Sequence, residues 1–434
     1  MRIKKNHVYQ GHVLDVMQNW PKESIDCVMT SPPYWGLRDY GKGTDAIWDG
    51  DPNCDHIFHE GFCLKCRAWK GQLGLEPTIQ LYLHHLIQIF DEIRRILKIT
   101  GTVWVNLGDT YGGSGNGKGH SPGTLNLNKP TGEYGATNGN QKYTKGCEKS
   151  LLGIPDRFKI MMIDSGWICR NEIIWYKRNC MPSSAKDRFT VDFEKIFFFT
   201  KNRKYWFEQQ FETALESSIN RTNYAFGATP GSAYPNEKRE RPRPANWIPN
   251  HLGRNKRCVW EINPKGYPEA HFATYPEKLC ETPIKSGCPE FICSKCGKPR
   301  KKIFEKTERK IHYGGTGSKT ADHINASPTS ALRTKTVQAK INAGYTDCGC
   351  GAEFIPGIVC DPFAGSGTTL ATAFKLNRYY VGIEINHEYI ELIKKRINEA
   401  EEEKKIKNIY PTDFDKFIRP KEEPQQISFF ESIS

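Results

Sequence analysis

Ile358-Val359-Cys360-Asp361-Pro362-Phe363-Ala364-Gly365-Ser366-Gly367-Thr368-Thr369 is the stretch whose reading decides the fold. A short apolar strand runs into an aspartate, and proline and two glycines then turn the chain. The pattern beyond predicts a helix over about 368–376, a strand over Tyr379–Ile383 and a helix over 387–403. Strand, glycine turn, helix, strand is a βαβ unit, and its glycines let the backbone approach a ligand at the carboxyl end of the strand. Glu384 closes the second strand, where a carboxylate can accept both ribose hydroxyls of an adenosine-type cofactor. The turn lacks the third glycine of dinucleotide-binding loops and the Gly-Lys-Ser/Thr of a Walker loop. Taken alone it also fits a tight connection followed by a surface glutamate.

A second strand, Ile25–Met29, ends in Thr30-Ser31-Pro32-Pro33-Tyr34. Pro32 and Pro33 cannot continue a sheet ladder, and they stiffen the turn. A stiff turn can hold the Pro32 carbonyl and the Ser31 hydroxyl as two acceptors at a fixed separation. The exocyclic amine of a nucleobase offers two N–H donors. Held by both, its nitrogen moves from planar conjugation toward a tetrahedral, more nucleophilic form. Tyr34 offers a flat face for an extruded base. Without a partner motif, the same turn reads as a rigid loop with a packed tyrosine.

Between these turns, Leu83, Leu86, Phe90, Ile93 and Leu97 share one helical face, predicting a helix over 79–98 that Gly101 stops. Val103–Leu107 reads as a buried strand, 154–164 as a helix, and about 171–176 and 194–200 as strands. Residues 111–146, rich in Gly, Asn, Lys and Ser, read as a mobile loop. Residues 208–257 are basic, aromatic and proline-rich, which suggests an irregular insertion, and 297–347 are polar and lysine-rich. The expected organisation is a catalytic half over 1–207, the insertion over 208–257, a cofactor-binding half over 258–405 and a charged tail over 406–434. Excursions over 50–70 and 288–351 interrupt the two halves.

The chain has 434 residues, 38% of them hydrophobic, enough for one large α/β domain and a smaller appendage. A net charge of +13 favours a polyanionic partner, because each Lys or Arg at a phosphate releases condensed counterions. No window approaches the ~18 apolar residues of a membrane span. The start, MRIKKNHVYQ, has no apolar core of a signal peptide, so the expected location is the cytoplasm. Fifteen cysteines there point to metal rather than disulfides.

The cysteines cluster. Cys54 and His56 are followed by Cys63 and Cys66, four soft ligands within 13 residues, with His59 as a rival to His56. Cys293 and Cys296 match Cys348 and Cys350 across 51 residues, with Cys288 as a spare. Such sets suit tetrahedral zinc. Neither keeps an open position beside a carboxylate base, so the expected zinc is structural. Buried free thiols are the alternative.

Together the two turns resemble those of the amino-methylating DNA methyltransferases, in the β-group order with Ser-Pro-Pro-Tyr first and Phe-Ala-Gly-Ser-Gly near the end. The likeness covers about 1–205 and 268–400. Leu107–Tyr111 and Asn171–Lys177 resemble framework strands of that family. The resemblance implies a doubly wound, Rossmann-like α/β core that uses S-adenosylmethionine. It implies cofactor contacts from Asp361, Pro362, Phe363, Ala364, Gly365, Ser366, Gly367, Thr368 and Glu384. Thr274 and Pro276, in a segment like the one that holds the methionine end, join them. Gly11–Asp15 would line the adenine pocket. His12 stands where relatives carry Asp, so Asp15 or Asp26 becomes the expected acid. The implied base-holding residues are Ser31, Pro32, Pro33 and Tyr34.

Ser-Pro-Pro-Tyr is typical of enzymes similar to N4-cytosine methyltransferases, Asp-Pro-Pro-Tyr of N6-adenine ones. The sequence therefore reads as an N4-cytosine enzyme, with N6-adenine as the alternative. Protein glutamine methyltransferases carry a related turn, but with the cofactor motif first in the chain. A zinc-containing DNA-binding protein without catalysis is a reading from another class. The expected partner is double-stranded DNA, and a cognate restriction endonuclease is a companion such enzymes can have. Lys177, Arg178, Lys186 and Arg188 are candidates for phosphate contact. Arg221, Arg239, Arg241, Arg243, Arg254, Lys256 and Arg257, with Tyr224, Phe226 and Trp247, make 208–257 the candidate target-recognition region. Arg38, Asp39 and Tyr40 follow the catalytic turn and would pack near the base.

Overall fold

The computed structural model describes residues 3–41, 43–112, 147–212, 254–265, 274–313 and 333–409. Most of the expected loop, most of the insertion with its residues from Arg221 to Trp247, and the tail beyond 409 lie outside them.

Eight strands form the main sheet: β1 (His7–Gln10), β2 (Ile25–Thr30), β3 (Leu97–Leu107), β4 (Ile168–Tyr176), β5 (Phe193–Thr200), β6 (Val259–Glu261), β7 (Ile358–Asp361) and β8 (Tyr379–Glu384). Their order is β1-β8-β7-β2-β3-β5-β4-β6. Strand β5 runs antiparallel to both of its neighbours, and every other pairing is parallel. The strands read as near-continuous apolar runs because both faces are covered. Period-two alternation assigns the faces. Val28, Val103, Val105, Phe197 and Phe199 enter one core cluster, while Cys27, Met29, Trp104, Ile196 and Phe198 enter the other.

Helices α1 (Val13–Met17), α2 (Ile79–Ile96) and α3 (Ile154–Asp164) supply the first cluster; α4 (Glu277–Gly287), α5 (Thr368–Lys375) and α6 (His387–Ile409) supply the second. Thr78 caps α2, its hydroxyl accepting from the Leu81 N–H at 3.2 Å. The helix ends at Ile96 and the strand begins at Leu97 without a loop. Gly101 therefore lies inside β3 and does not stop the helix, contrary to expectation. A Cβ there would sit 2.7 Å from the Leu97 side chain and 3.0 Å from the Asp26 carbonyl.

The lysine-rich stretch also departs from expectation. Lys302–Tyr313 and Arg333–Tyr345 form a long antiparallel ribbon apart from the main sheet. Phe211–Glu212 pairs with Arg254–Asn255, so the insertion leaves and rejoins the core at one point, where Glu212 takes both Arg254 and Arg257. Among the described residues no helix is long and apolar enough to cross a membrane.

The topology dictates where a ligand can bind. From β7 the chain passes through α5 to β8 on one side, and from β2 through α2 to β3 on the other. The turns after β7 and β2 diverge, opening a crevice at the carboxyl ends of the strands where the order reverses.

Candidate active site

Both turns line one cleft of about 330 Å³ at this switch point. Ser31, Pro32, Pro33 and Tyr34 contribute from the β2 side, and Pro362–Ser366, Thr368 and Glu384 from the β7–β8 side. Buried hydrogen bonds fasten them together. The Thr30 hydroxyl donates to Asp361 Oδ1 at 2.6 Å, and the Thr369 hydroxyl donates to the Met29 carbonyl at 3.2 Å.

Asp361 is a brace and does not line the cleft. Its carboxylate is fully buried and accepts from Thr30, from the Phe363 N–H at 3.1 Å and from the Tyr275 hydroxyl at 2.9 Å. Burial pushes its pKa up to about 6 against the pull of these donors. Gly367 likewise lies behind the surface, at φ 80° before α5 and against Ile393. Arg396, from α6, reaches the turn from behind, donating to the Ser366 hydroxyl at 3.0 Å and the Thr368 hydroxyl at 2.8 Å.

Glu384 does face the cleft. Its Oε2 accepts from the Gly365 N–H at 2.8 Å and its Oε1 from the Asn386 N–H at 2.9 Å, leaving lone pairs on both oxygens for further donors. Burial raises its pKa to about 7. Thr274 lines the cleft too, and its buried hydroxyl has no hydrogen-bond partner among the described residues. Pro276 is the buried N-cap of α4, outside the lining.

The expected acid of the adenine pocket is not there. In α1, Val13 and Met17 are buried, so Asp15 points away and its side chain is 75% exposed. Asp26 is held by Lys98 at 2.7 Å and by the Ile358 N–H at 2.9 Å. Gly11, His12 and Val13 line the cleft instead. His12 stands edge-on to Trp48, ring centroids 4.5 Å apart, and its buried Nε2 has no partner among the described residues.

Below the proline turn lies a hydrogen-bonded cluster that sequence reasoning missed. The Tyr34 hydroxyl donates to Glu194 Oε2 at 2.7 Å. It accepts from Asn106 Nδ2 at 2.5 Å, and the Ser31 hydroxyl donates to it at 3.3 Å. Asn106 also donates to Glu194 at 2.8 Å, and Lys177 donates to the other carboxylate oxygen. Asn106, Lys177 and Glu194 belong to β3, the residues just after β4, and β5, and all line the cleft. Burial and the neighbouring Glu194 carboxylate hold the Tyr34 pKa well above the usual phenol value, so its proton stays in place at neutral pH. Gly108 lets the ring in: a Cβ there would lie 2.5 Å from it. The Tyr82 hydroxyl donates to the Pro33 carbonyl at 2.7 Å and fixes the turn from α2.

Of the candidate phosphate contacts, Arg178 is largely exposed near Glu261, and Arg188 stacks over the Tyr111 ring at 3.6 Å. The Tyr40 N–H donates to Gln72, and Tyr40 and Arg38 line the cleft.

The profile of the N6/N4 methyltransferase family, described as DNA methylase, matches residues 25–291 and 352–395, most of the chain and both turns. The chain belongs to this DNA methylase family. The methylase is 28% identical over 404 residues to Type II methyltransferase M.SmaI of Serratia marcescens, covering 91% of each chain. It is 29% identical over 395 residues to Type II methyltransferase M.XycI of Xanthomonas campestris pv. cyanopsidis, covering 91% of this chain and 88% of that one. Among solved structures, PvuII DNA methyltransferase (cytosine-N4-specific) aligns over 91% of the methylase and 86% of its own chain, at 15% identity and a TM-score of 0.45. By the family match, the doubly wound α/β core expected from the sequence is the core of a DNA methylase.

Proposed function

We propose that this methylase transfers a methyl group from S-adenosylmethionine to the N4 amine of cytosine at a specific site in duplex DNA. The observation that carries the reading is the meeting of Ser31–Tyr34 and Pro362–Glu384 in one cleft.

The residues on the β7–β8 side fit the cofactor. Glu384 presents free lone pairs for two ribose hydroxyls, Thr274 presents a hydroxyl without a partner among the described residues, and the glycine turn leaves room for close backbone approach. When bound, the cofactor supplies a methyl group on a positively charged sulfur. The rest is the work of this chain. Ser31 Oγ and the Pro32 carbonyl accept the two amine N–H bonds of a flipped base. Because the Ser31 hydroxyl proton points to Tyr34, its lone pairs are left to accept. The run Ser31 to Tyr34 to Glu194 then gives the proton shed by the methylated amine a route to a carboxylate, with Lys177 steadying that charge.

Serine at the head of the turn favours cytosine over adenine. Duplex DNA must extrude the base, at a cost of a few kcal/mol, and the basic residues of 208–257 are the proposed grip and reader of the site. The Type II relatives support a role in restriction–modification, with a cognate endonuclease acting at the same sequence. The test is to methylate duplex DNA with labelled cofactor, digest it to nucleosides and separate them. Label in N4-methylcytosine is expected. Label in N6-methyladenine overturns the base assignment, and DNA binding without transfer overturns the enzyme.

Glu384 gives a pH signature. Its ionised form accepts ribose hydroxyls; below about pH 7 it takes up a proton and loses an acceptor. Cofactor affinity is expected to fall about five- to sixfold between pH 7 and pH 6, as the ionised share of a group with a pKa of about 7 drops from about a half to about a tenth, and to be nearly flat above pH 8. Glu384→Gln should bind weakly at every pH and lose this slope, as read by titration calorimetry.

A further inference from the structure

We propose that Cys54, His56, Cys63 and Cys66 hold one zinc ion, that Cys293, Cys296, Cys348 and Cys350 hold a second, and that the first fixes one wall of the catalytic cleft. In each set the four ligand atoms all lie within 4.8 Å of one another. Cys54 Sγ is 3.9 Å from Cys63 Sγ, and Cys66 Sγ is 3.3 Å from His56 Nδ1. Zinc bound tetrahedrally, at about 2.3 Å from sulfur and about 2.0 Å from imidazole nitrogen, separates its ligand atoms by about 3.5–3.8 Å. The sulfurs are free thiols, far beyond the ~2.05 Å of a disulfide.

The two Cys-x-Lys-Cys segments, Cys63–Cys66 and Cys293–Cys296, fold the same local loop. In the first, the Cys63 N–H donates to the Ala68 carbonyl at 2.7 Å and the Arg67 N–H to the Cys63 carbonyl at 3.0 Å. In the second, the Cys293 N–H donates to the Lys298 carbonyl at 3.0 Å and the Gly297 N–H to the Cys293 carbonyl at 2.9 Å. The residue after each second cysteine is left-handed, Arg67 at φ 67° and Gly297 at φ 70°. A left-handed arginine is unfavourable, and a bound metal is a reason to hold it. The loops also aim backbone N–H groups at the first sulfur, from Lys65 and Cys66 toward Cys63 and from Lys295 and Cys296 toward Cys293. Three thiolates with an imidazole, or four thiolates, in a closed tetrahedral set select zinc and leave no position for a substrate.

The first site bears on the cleft, a point that rests on reading the cleft as the cofactor and base site. Its loops belong to a four-stranded sheet in which Ala46–Trp48 pairs with Trp69–Gly71. Ala46 and Trp48, of this sheet, and Gln72 and Leu73, just past Trp69–Gly71, line the cleft. Gly50, two residues past Trp48, passes under the ligands so closely that a Cβ would lie 2.9 Å from Cys66 Sγ. Trp48 and Trp69 both stack on buried His85 of α2, which is held by Asp49 and Glu76. A sheet of such short strands has little core of its own and needs a staple. Among the described residues the second cluster contributes none to the cleft lining, and its strand Ile292–Cys293 pairs with Phe354–Ile355, away from the main sheet.

Elemental analysis of the full purified chain tests the sites, and titration with S-adenosylmethionine tests the wall. Two zinc ions per chain are expected, falling to one in Cys66→Ala and to one in Cys350→Ala. Cofactor Kd should rise about tenfold with loss of the first zinc and not with loss of the second. Cys66→His keeps a ligand and should keep both metals; it is the variant to read if Cys66→Ala does not fold. Cobalt-loaded protein should show tetrahedral thiolate bands that weaken in each alanine variant. A folded protein with well under one zinc per chain overturns both sites. Two zincs in the native chain, with an unchanged Kd in Cys66→Ala once it has lost one of them, overturn the wall. Two zincs in a chain that does not bind the cofactor at all leave the sites standing and defeat the functional reading instead.

Discussion

Tyr34→Ala is expected to slow methyl transfer by about a thousand-fold, and Tyr34→Phe by about a hundred-fold. Two separable losses make up the larger effect. Removing the ring removes a stacking face for the base, an interaction of about 1–3 kcal/mol in other aromatic–base contacts. Removing the hydroxyl alone breaks the run from Ser31 to Glu194, and a positioned proton-transfer group contributes about 10²-fold or more. Phenylalanine keeps the ring against Gly108, so its deficit isolates the hydroxyl. Single-turnover transfer of labelled methyl to DNA reads the rate, and cofactor titration shows that the cleft is intact. A Tyr34→Phe enzyme as fast as the native one would show that the hydroxyl plays no part in the chemistry.

Asp361→Ala is expected to cost about 3 kcal/mol or more of stability and to abolish cofactor binding, whereas Asp361→Asn keeps the fold. The alanine variant strands two buried donors, from Thr30 and the Phe363 N–H, each with a penalty of about 1–3 kcal/mol, while Tyr275 keeps Thr369 as a partner. The Thr30 bond joins the two turns, so its release also opens the switch point. Asparagine can still accept from Thr30 and Phe363 through its carbonyl oxygen, while its amide donates to the Tyr275 oxygen. Tyr275 then turns its proton to Thr369, 2.7 Å away. Thermal melts should place the alanine variant roughly 5 °C or more below the native protein. An alanine variant that melts with the native chain would mean the turns are held by other contacts.

The parts of the fold that the sequence revealed are those buried on both sides. Ile25–Thr30 and Ile358–Asp361 are central strands, so each is an apolar run closed by a stiff or glycine-rich turn. The start of β3 was hidden because no loop separates it from α2, and a glycine in its interior mimics a helix stop. The ribbon of Lys302–Tyr313 and Arg333–Tyr345 stands clear of the main sheet and carries no apolar run to announce it.

The site divides in the same way. Its two turns are contiguous motifs, and the structure brings them together. The cluster beneath Tyr34 draws on Asn106, Lys177 and Glu194, each an ordinary residue of a framework strand or its edge, separated by 71 and 17 positions. A faint signal existed: Glu194 is the acid nearest the start of the apolar run Ile196–Phe199. Asp15 was misplaced because helix α1 was not yet defined, and two residues along a helix reverse the facing of a side chain.

The pairing of β2 with β7 has a consequence for how the chain is made. Thr30 and Asp361 touch across 331 residues, so the first central strand emerges from the ribosome long before its neighbour exists. Until then the nascent protein carries a bare, apolar strand edge, a template for wrong pairing. Closing so distant a contact is slow, which makes the newborn methylase a natural client for chaperones and its refolding from denaturant sluggish.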